Sequence, residues 1–406
     1  MSFKIALSGL TAASAELSVT ANNIANANTT GFKQSRAEFA DFFPQSSYGL
    51  SQNAIGAGVR LERVAQQFTQ GNVNFTDNAL DLAISGEGFF TVSDGGATLY
   101  TRAGEFGTNR DGYVVNASGH RLQVFPPNAG GAGFDTSRTT DLRLSGADNP
   151  PAASGSIEGA FNLPANAVVP TVGTFDPDDA ESYNQSTALT LFDSLGATHA
   201  ASLYFIKTAN PNEWSMQVQI DGTPVGPATT LQYSDTGTLV SPAGGQIALP
   251  AYAPANGSAP ISLNLDIGAS TQYGEGFAVS RLSQDGFATG RLAGIDVGEG
   301  GVVQARYTNG QSAQIGQVAM ANFPNPQGLQ QVGATAWAQS FNSGSPVIGA
   351  AGTGNFGDVQ SGALEASNVD LTAQLVNMIE AQRNFQANAQ MISTSDQITQ
   401  TVLNIR

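Results

Sequence analysis

The sequence predicts an α+β, mainly β protein in which discontinuous β domains are strung outward from paired N- and C-terminal coiled-coil-like helices. Three observations predict it. Apolar residues recur at alternating spacings of four and three at both ends of the chain, the a/d stripe of a helix built to pack on other helices. Between those ends, 47 glycines and a charged fraction of only 12% favour strands, turns and loops over a helical core. At 406 residues the chain suits two or three domains, and its middle differs in charge from its flanks.

The first stripe runs Phe3, Leu7, Leu10, Ser14, Leu17, Ala21 and Ile24. Lys4, the stretch Ile5 to Ala13 and Ala13-Ser14-Ala15 have the layout of a secretory leader. Ser8, Gly9 and Thr11 interrupt it, and the stripe passes straight through the cleavage position, so the segment reads as a retained helix. Its last turns, Asn22 to Asn28, are poor helix formers because asparagine competes for its own backbone. Thr29-Thr30-Gly31 predicts the helix end. A lone helix of this kind draws its stability from tertiary contacts. Either it forms a hairpin with residues 368–406, or both helices order fully only when neighbouring subunits supply the packing.

Residues 32–72 read as an irregular connecting segment with Phe39, Phe42, Phe43 and Pro44 clustered, and 353–365 as its counterpart. Strands are predicted over Ala83 to Val92 and Tyr113 to Val115, with Asp111-Gly112 as a hairpin turn. Gly86-x-Gly88 has no third glycine and no following helix, so it is not read as a dinucleotide loop. After Asp148-Asn149-Pro150-Pro151 the composition changes: residues 150–286 hold twelve acids against two bases, Lys207 and Arg281. Alternation in Leu189/Leu191, Trp214/Met216/Val218/Ile220 and Leu263/Leu265/Ile267 predicts a half-buried antiparallel sheet, a sandwich or barrel inserted as an acidic outer domain.

The flanking β pattern returns over 287–352, with Gly290 to Val297, Val302 to Tyr307, an Asn309-Gly310 turn and Ile315 to Phe323. Residues 73–149 and 287–352 therefore read as one discontinuous middle domain. Gly344 to Gly357 leads to the last helix, where Ser367-Asn368-Val369-Asp370 has the form of a capping box. The closing stripe is Leu371, Leu375, Met378, Gln382, Phe385, Ala389 and Ile392, slipping by one to Met391, Ile398, Val402 and Ile405. That slip is what a 3.6-residue helix does against a 3.5-residue repeat. Residues 1–31 and 366–406 make the terminal helical domain, and the large residues of both stripes are the expected assembly interface.

A net charge of -16 excludes a nucleic-acid face, which needs Lys and Arg in excess. No apolar run approaches the roughly 20 residues of a membrane span, so no membrane insertion is expected. The absence of cysteine fits passage between reducing and oxidising compartments and equally fits an ordinary cytosolic protein. His120 and His199 are isolated from any acid-plus-nucleophile pattern, and no Gly-x-Ser-x-Gly elbow occurs. Asp176, Asp178, Asp179 and Glu181 lack the glycine turn and closing glutamate of a calcium loop and read as a solvated acidic loop. No catalytic, cofactor or metal residue is named, and the chain is read as a non-enzyme.

Ser8-Gly9-Leu10 and the run from Ala21 through Asn22, Asn23, Asn26 and Gly31 to Phe32-Lys33 resemble the N-terminal signature of the axial proteins of the bacterial flagellum, the rod and hook family. Gly362 to Asp370, followed by Leu375 to Phe385, is similar to that family's closing helix. The resemblance implies a subunit of a helical homopolymer with its terminal helices inside. It also implies type III export without leader cleavage, and contacts with a rod protein, a hook cap protein, hook–filament junction proteins, a hook-length control protein and the export apparatus. Phe39-Ala40-Asp41-Phe42-Phe43 resembles the Phe-x-x-x-hydrophobic element of early export substrates, carried by Phe39 and Phe43; by its residues alone it reads as a buried aromatic cluster. Rod members generally lack a large insertion, so residues 150–286 favour the hook. The alternatives are an enlarged distal rod protein and, in a different class, a secreted carbohydrate-binding or hydrolytic protein.

Overall fold

The computed structural model describes residues 2–42, 56–128, 133–144 and 148–404. The chain divides into two compact units, the first formed by residues 1–145, 294–306 and 312–406, the second by 146–293 and 307–311.

In the first unit the helix α1 spans Ser2–Ala25 and α2 spans Leu371–Asn404. Helix α1 stops at Ala25, ahead of the Thr29–Gly31 end that its sequence predicts, because the asparagine run turns the backbone first. Gly31 then takes φ +66° against the backbone of Ala103, a site with no room for a Cβ. The capping box also needs correction. Asp370 is the cap residue: its Oδ1 accepts from the amides of Thr372 (2.8 Å) and Ala373 (3.1 Å), while Ser367 receives only the amide of Val369. The third residue of the helix is Ala373, which has no side chain to complete a box.

The segments expected to be irregular contain strands. Ser35–Asp41 pairs antiparallel with Val59–Gln66, Val73–Phe75 with Ala363–Glu365, and Leu82–Ser85 with Asp358–Ser361. Their apolar alternation is brief, two residues each in Ala37/Phe39, Val59/Leu61 and Val73/Phe75. The first pair is charged, with Arg63 Nε 2.7 Å from Glu38 Oε2 across the strands, and the other two join partners far apart in sequence. Local periodicity reports neither.

A twelve-stranded sheet holds the rest of the unit. Its main path runs Leu292–Val297, Val302–Tyr307, Ser312–Asn322, Arg121–Phe125, Phe89–Asp94, Ala97–Thr101, Ala336–Ala338, Gln330–Gly333. Phe90, Val92, Leu122 and Met320 are fully buried within it. The hairpin Phe106–Thr108/Val114–Asn116 turns at Gly112 with φ +82°.

In the second unit Gln185–Phe192, Thr198–Lys207, Glu213–Ile220, Thr229–Tyr233 and Leu239–Ser241 form an antiparallel sheet, with Thr223–Pro224 beside the third strand. A five-stranded sheet is mixed, contrary to the antiparallel expectation: Ser156–Pro164 runs parallel to both Asn264–Asp266 and Thr271–Tyr273 and antiparallel to Ala278–Gln284. Alternation sets which face of a strand is buried and says nothing of its direction. Trp214, Phe205, Phe161 and Leu265, drawn from both sheets, share one core.

Candidate assembly interface

The helices α1 and α2 pack antiparallel, because Gly9 lies against Asn388 at one end and Asn23 bonds Gln374 at the other. A Cβ at Gly9 would fall 2.4 Å from Asn388 Oδ1, so the backbones approach closely there. The buried side of α1 is Ala6, Ala13, Thr20 and Asn23, and that of α2 is Gln374 and Ala381. These are not the expected stripes.

Phe3 and Leu7 on α1 and Leu371, Leu375 and Ile398 on α2 are exposed, Leu375 by 51% and Ile398 by 59%. Leu10, Leu17, Ile24, Met378, Phe385 and Ile392 are half-buried. The side chain of Val402, and Ile405 entirely, lie outside the described residues. Within one chain, then, each stripe divides: Leu10, Leu17 and Ile24 alternate with the buried Ala6, Ala13 and Thr20, and Met378 and Phe385 with Gln374 and Ala381, along the seam, while Phe3, Leu7, Leu371, Leu375 and Ile398 stay outside it. Alanines at Ala6, Ala13 and Ala381 let the backbones approach, and the larger stripe residues on that face are covered only in part. Val376, Ile379 and Leu403, exposed on α2, were not singled out from sequence, because they fall outside the a/d rhythm.

The signature residues work at the root of the pair. Asn23 is buried: its Nδ2 donates to the Ser35 carbonyl (2.8 Å) and to Gln374 Oε1 (3.2 Å), and its Oδ1 accepts the Ser35 amide (2.8 Å). Asn26 Nδ2 donates to the exposed Asn22 carbonyl, and Phe32 is buried. The amide of Gly31 donates to the Glu365 carbonyl at 2.8 Å.

Sequence reasoning missed the charged node beneath this root. Lys33 Nζ lies 2.6 Å from Glu365 Oε1 and 2.7 Å from the Thr69 carbonyl, and Arg102 Nη1 lies 3.2 Å from Glu365 Oε2. Burial pushes the Lys33 and Arg102 pKa values down against the opposing pull of Glu365. Lys33 closes the N-terminal signature and Glu365 lies within the Gly362 to Asp370 run, but neither run marks them as partners, and Arg102 carried no signal. Asn368 completes the tie, accepting the Gln34 amide and donating to the Gln67 and Thr69 carbonyls.

Phe39 stands opposite Leu61 in its strand pair and is partly exposed, whereas Phe43 and Pro44 lie outside the described residues. In the acidic loop, Asp176 Oδ1 accepts the Asp178 amide and Asp179 Oδ1 the Glu181 amide, so these carboxylates serve their own turns. His199 is isolated in sequence but not in space, since Asp221 and Asp193 flank its ring.

Residues 3–33 match the family model described as flagella basal body rod protein, and 83–174 the flagellar hook protein FlgE/F/G D1 domain. Residues 162–287 match the flagellar basal body protein FlaE D2 domain, and 360–405 the flagellar basal body rod FlgEFG protein C-terminal. The chain is 39% identical to the flagellar hook protein FlgE of Escherichia coli (strain K12), over 100% of both chains. It is 35% identical to that of Rhizobium meliloti (strain 1021), over 98% of this chain and 97% of the other. It resembles in fold the crystal structure of Helicobacter pylori flagellar hook protein FlgE2, with a TM-score of 0.53 at 14% identity, over 72% of this chain and 100% of that one. With sequence identity of this level running from end to end, the chain belongs to the flagellar hook protein family.

Proposed function

We propose that this chain is a structural subunit of the flagellar hook, polymerising into a curved helical tube that acts as a flexible joint and passes motor torque from rod to filament. The observation that carries this is the apolar surface left on the helix pair. With the small residues already used between α1 and α2, Leu7, Leu371, Leu375, Val376, Ile379 and Ile398 remain exposed. About half of each side chain is still exposed, so burying the remainder is worth about 0.8–1.5 kcal/mol apiece. A head-to-tail contact that does not close repeats that gain along a filament. In this reading the terminal helices line the inner wall and the residues of both stripes meet those of adjacent copies.

Family membership supports self-polymerisation and association with the basal body. The finer partners follow from the same reading: a rod protein below, a hook cap protein during growth, hook–filament junction proteins above, a hook-length control protein, and the type III export apparatus reached through the segment holding Phe39.

Leu375→Asp tests it, since Leu375 is exposed and its loss leaves the monomer's own packing intact. The variant is expected to keep its circular dichroism spectrum and to form no tubes by electron microscopy or sedimentation. Normal tubes from this variant would remove the helix faces from the interface.

A further inference from the structure

At one end of the second unit the ring of His199 lies between two carboxylates. Nδ1 is 2.6 Å from Asp221 Oδ2 and Nε2 is 3.3 Å from Asp193 Oδ2. Asp193 opens the turn between the strands Gln185–Phe192 and Thr198–Lys207, and Asp221 sits in the turn after Glu213–Ile220. All three residues belong to the six-stranded sheet or its turns. The segment 252–259, which comes from between two strands of the other sheet, is fastened to the same groups. Tyr252 donates its hydroxyl to Asp221 Oδ2 (3.3 Å), Asn256 Nδ2 donates to Asp193 Oδ2, and the Ala259 amide donates to Ser194 Oγ (3.0 Å). The Tyr252 ring also meets the imidazole edge-on at 6.0 Å. The ionisable groups facing His199 are therefore Asp193, Asp221 and Tyr252.

A neutral imidazole has one N–H and one lone pair, so only the imidazolium can donate to both carboxylates at once. We propose that His199 is a pH-operated clasp: charged, it ties Asp193 and Asp221 into the point where segment 252–259 crosses the end of the six-stranded sheet; neutral, it turns a lone pair on one carboxylate and lets that crossing loosen. Burial works against the charged ring, but its bonds to Asp221 and Asp193 outweigh burial and raise its pKa. Burial likewise pushes Asp193 and Asp221 up, and loses to the hydrogen bonds they accept, chiefly from Asn256 and from His199 respectively, so both stay below the usual carboxylate range. Burial and Asp221 raise the Tyr252 hydroxyl and keep it neutral.

These directions fix the window. The histidine contribution is fully present below the ordinary histidine value and is lost as pH rises through the raised value. The aspartate contribution is present above the ordinary carboxylate range and is lost on acidification through the lowered values. The clasp is closed between them.

The full chain offers clean readouts, because it has two histidines and two tryptophans, of which Trp214 lies in the second unit. In ¹⁵N-histidine-labelled monomer, with His120→Asn for assignment, the His199 ring is expected to titrate above about 6.5. In a Trp337→Phe background, the Trp214 unfolding midpoint is expected to fall by about 2–4 °C as pH rises through the ring's titration. His199→Gln should abolish that slope. Asp221→Asn should do the same while keeping its turn, since asparagine accepts the φ of +51° found there. A ring titrating at or below the ordinary value, or one pH slope shared by the parent and both variants, would overturn the clasp.

Discussion

Two cations share one carboxylate inside the first unit. Lys33 and Glu365 have wholly buried side chains, and Arg102 joins them nine-tenths buried or more. Removing the shared anion leaves two uncompensated charges, whereas removing Lys33 leaves a one-to-one pair of Arg102 and Glu365. Glu365→Gln is therefore expected to destabilise the first unit by about 3–5 kcal/mol, and Lys33→Met by clearly less. Urea denaturation followed at Trp337 measures both, and equal losses would contradict the shared-anion account. The node binds the end of the Asn-rich turn to the strand that leads into α2, through Gly31 amide to Glu365 carbonyl and Gly71 amide to Glu365 Oε1. Lys33 and Glu365 each stood in a family-like run, 332 residues apart, and nothing in either run pointed to the other. Arg102 is a single charge in an unremarkable stretch, and nothing local marks a charge that will be buried.

At the scale of elements, α2 shows how two demands divide one helix. Its contact with α1 buries Gln374 and Ala381 and half-covers Met378, Phe385 and Ile392, while Leu371, Leu375, Val376, Ile379 and Ile398 are left over. The start of α2 depends on Asp370, whose side chain satisfies the first amides, those of Thr372 and Ala373. Asp370→Ala is expected to cost about 1 kcal/mol of helix stability. The critical concentration for polymerisation should rise accordingly, about fivefold if the whole loss falls on the assembling state, as sedimentation of supernatant protein would read. An unchanged value would mean that the first turn of α2 takes no part in assembly. The strand pair Ser35–Asp41/Val59–Gln66 makes the complementary point. It is held by ladder bonds and the Arg63–Glu38 bridge, so its amphipathic signal is weak and its existence depends on a partner the sequence does not point to.

Over the whole molecule the charge of -16 opposes association of identical copies. Screening shortens that repulsion to about 8 Å at physiological ionic strength. Raising sodium chloride from about 10 mM, where the Debye length is near 30 Å, should lower the critical concentration steeply before levelling. Light scattering against salt checks this, and a flat response would place the acidic residues far from every subunit contact. We propose that the acidic turn of Asp176 to Glu181 bears on mechanics. Polar, hydrated contacts exchange partners at little cost, so surfaces of this kind suit a tube that must bend. Neutralising these four acids is expected to change bending stiffness measured from tube curvature fluctuations, and unchanged stiffness would exclude them.

From the sequence by itself came what short-range periodicity and turn chemistry encode: helices at both ends, a β-rich middle, the turns at Gly112 and Gly310, and the signature around Asn23 and Gly31. Those features rest on residues close together along the chain, whose spacing and backbone preference act before any packing. Tertiary structure alone decided which helix face closes on its partner, which distant strands pair, that one sheet of the second unit is mixed, and that His199 meets two aspartates. Each of these is a choice among several surfaces of similar local character, and it is settled by steric fit, charge pairing and desolvation between residues that periodicity cannot connect.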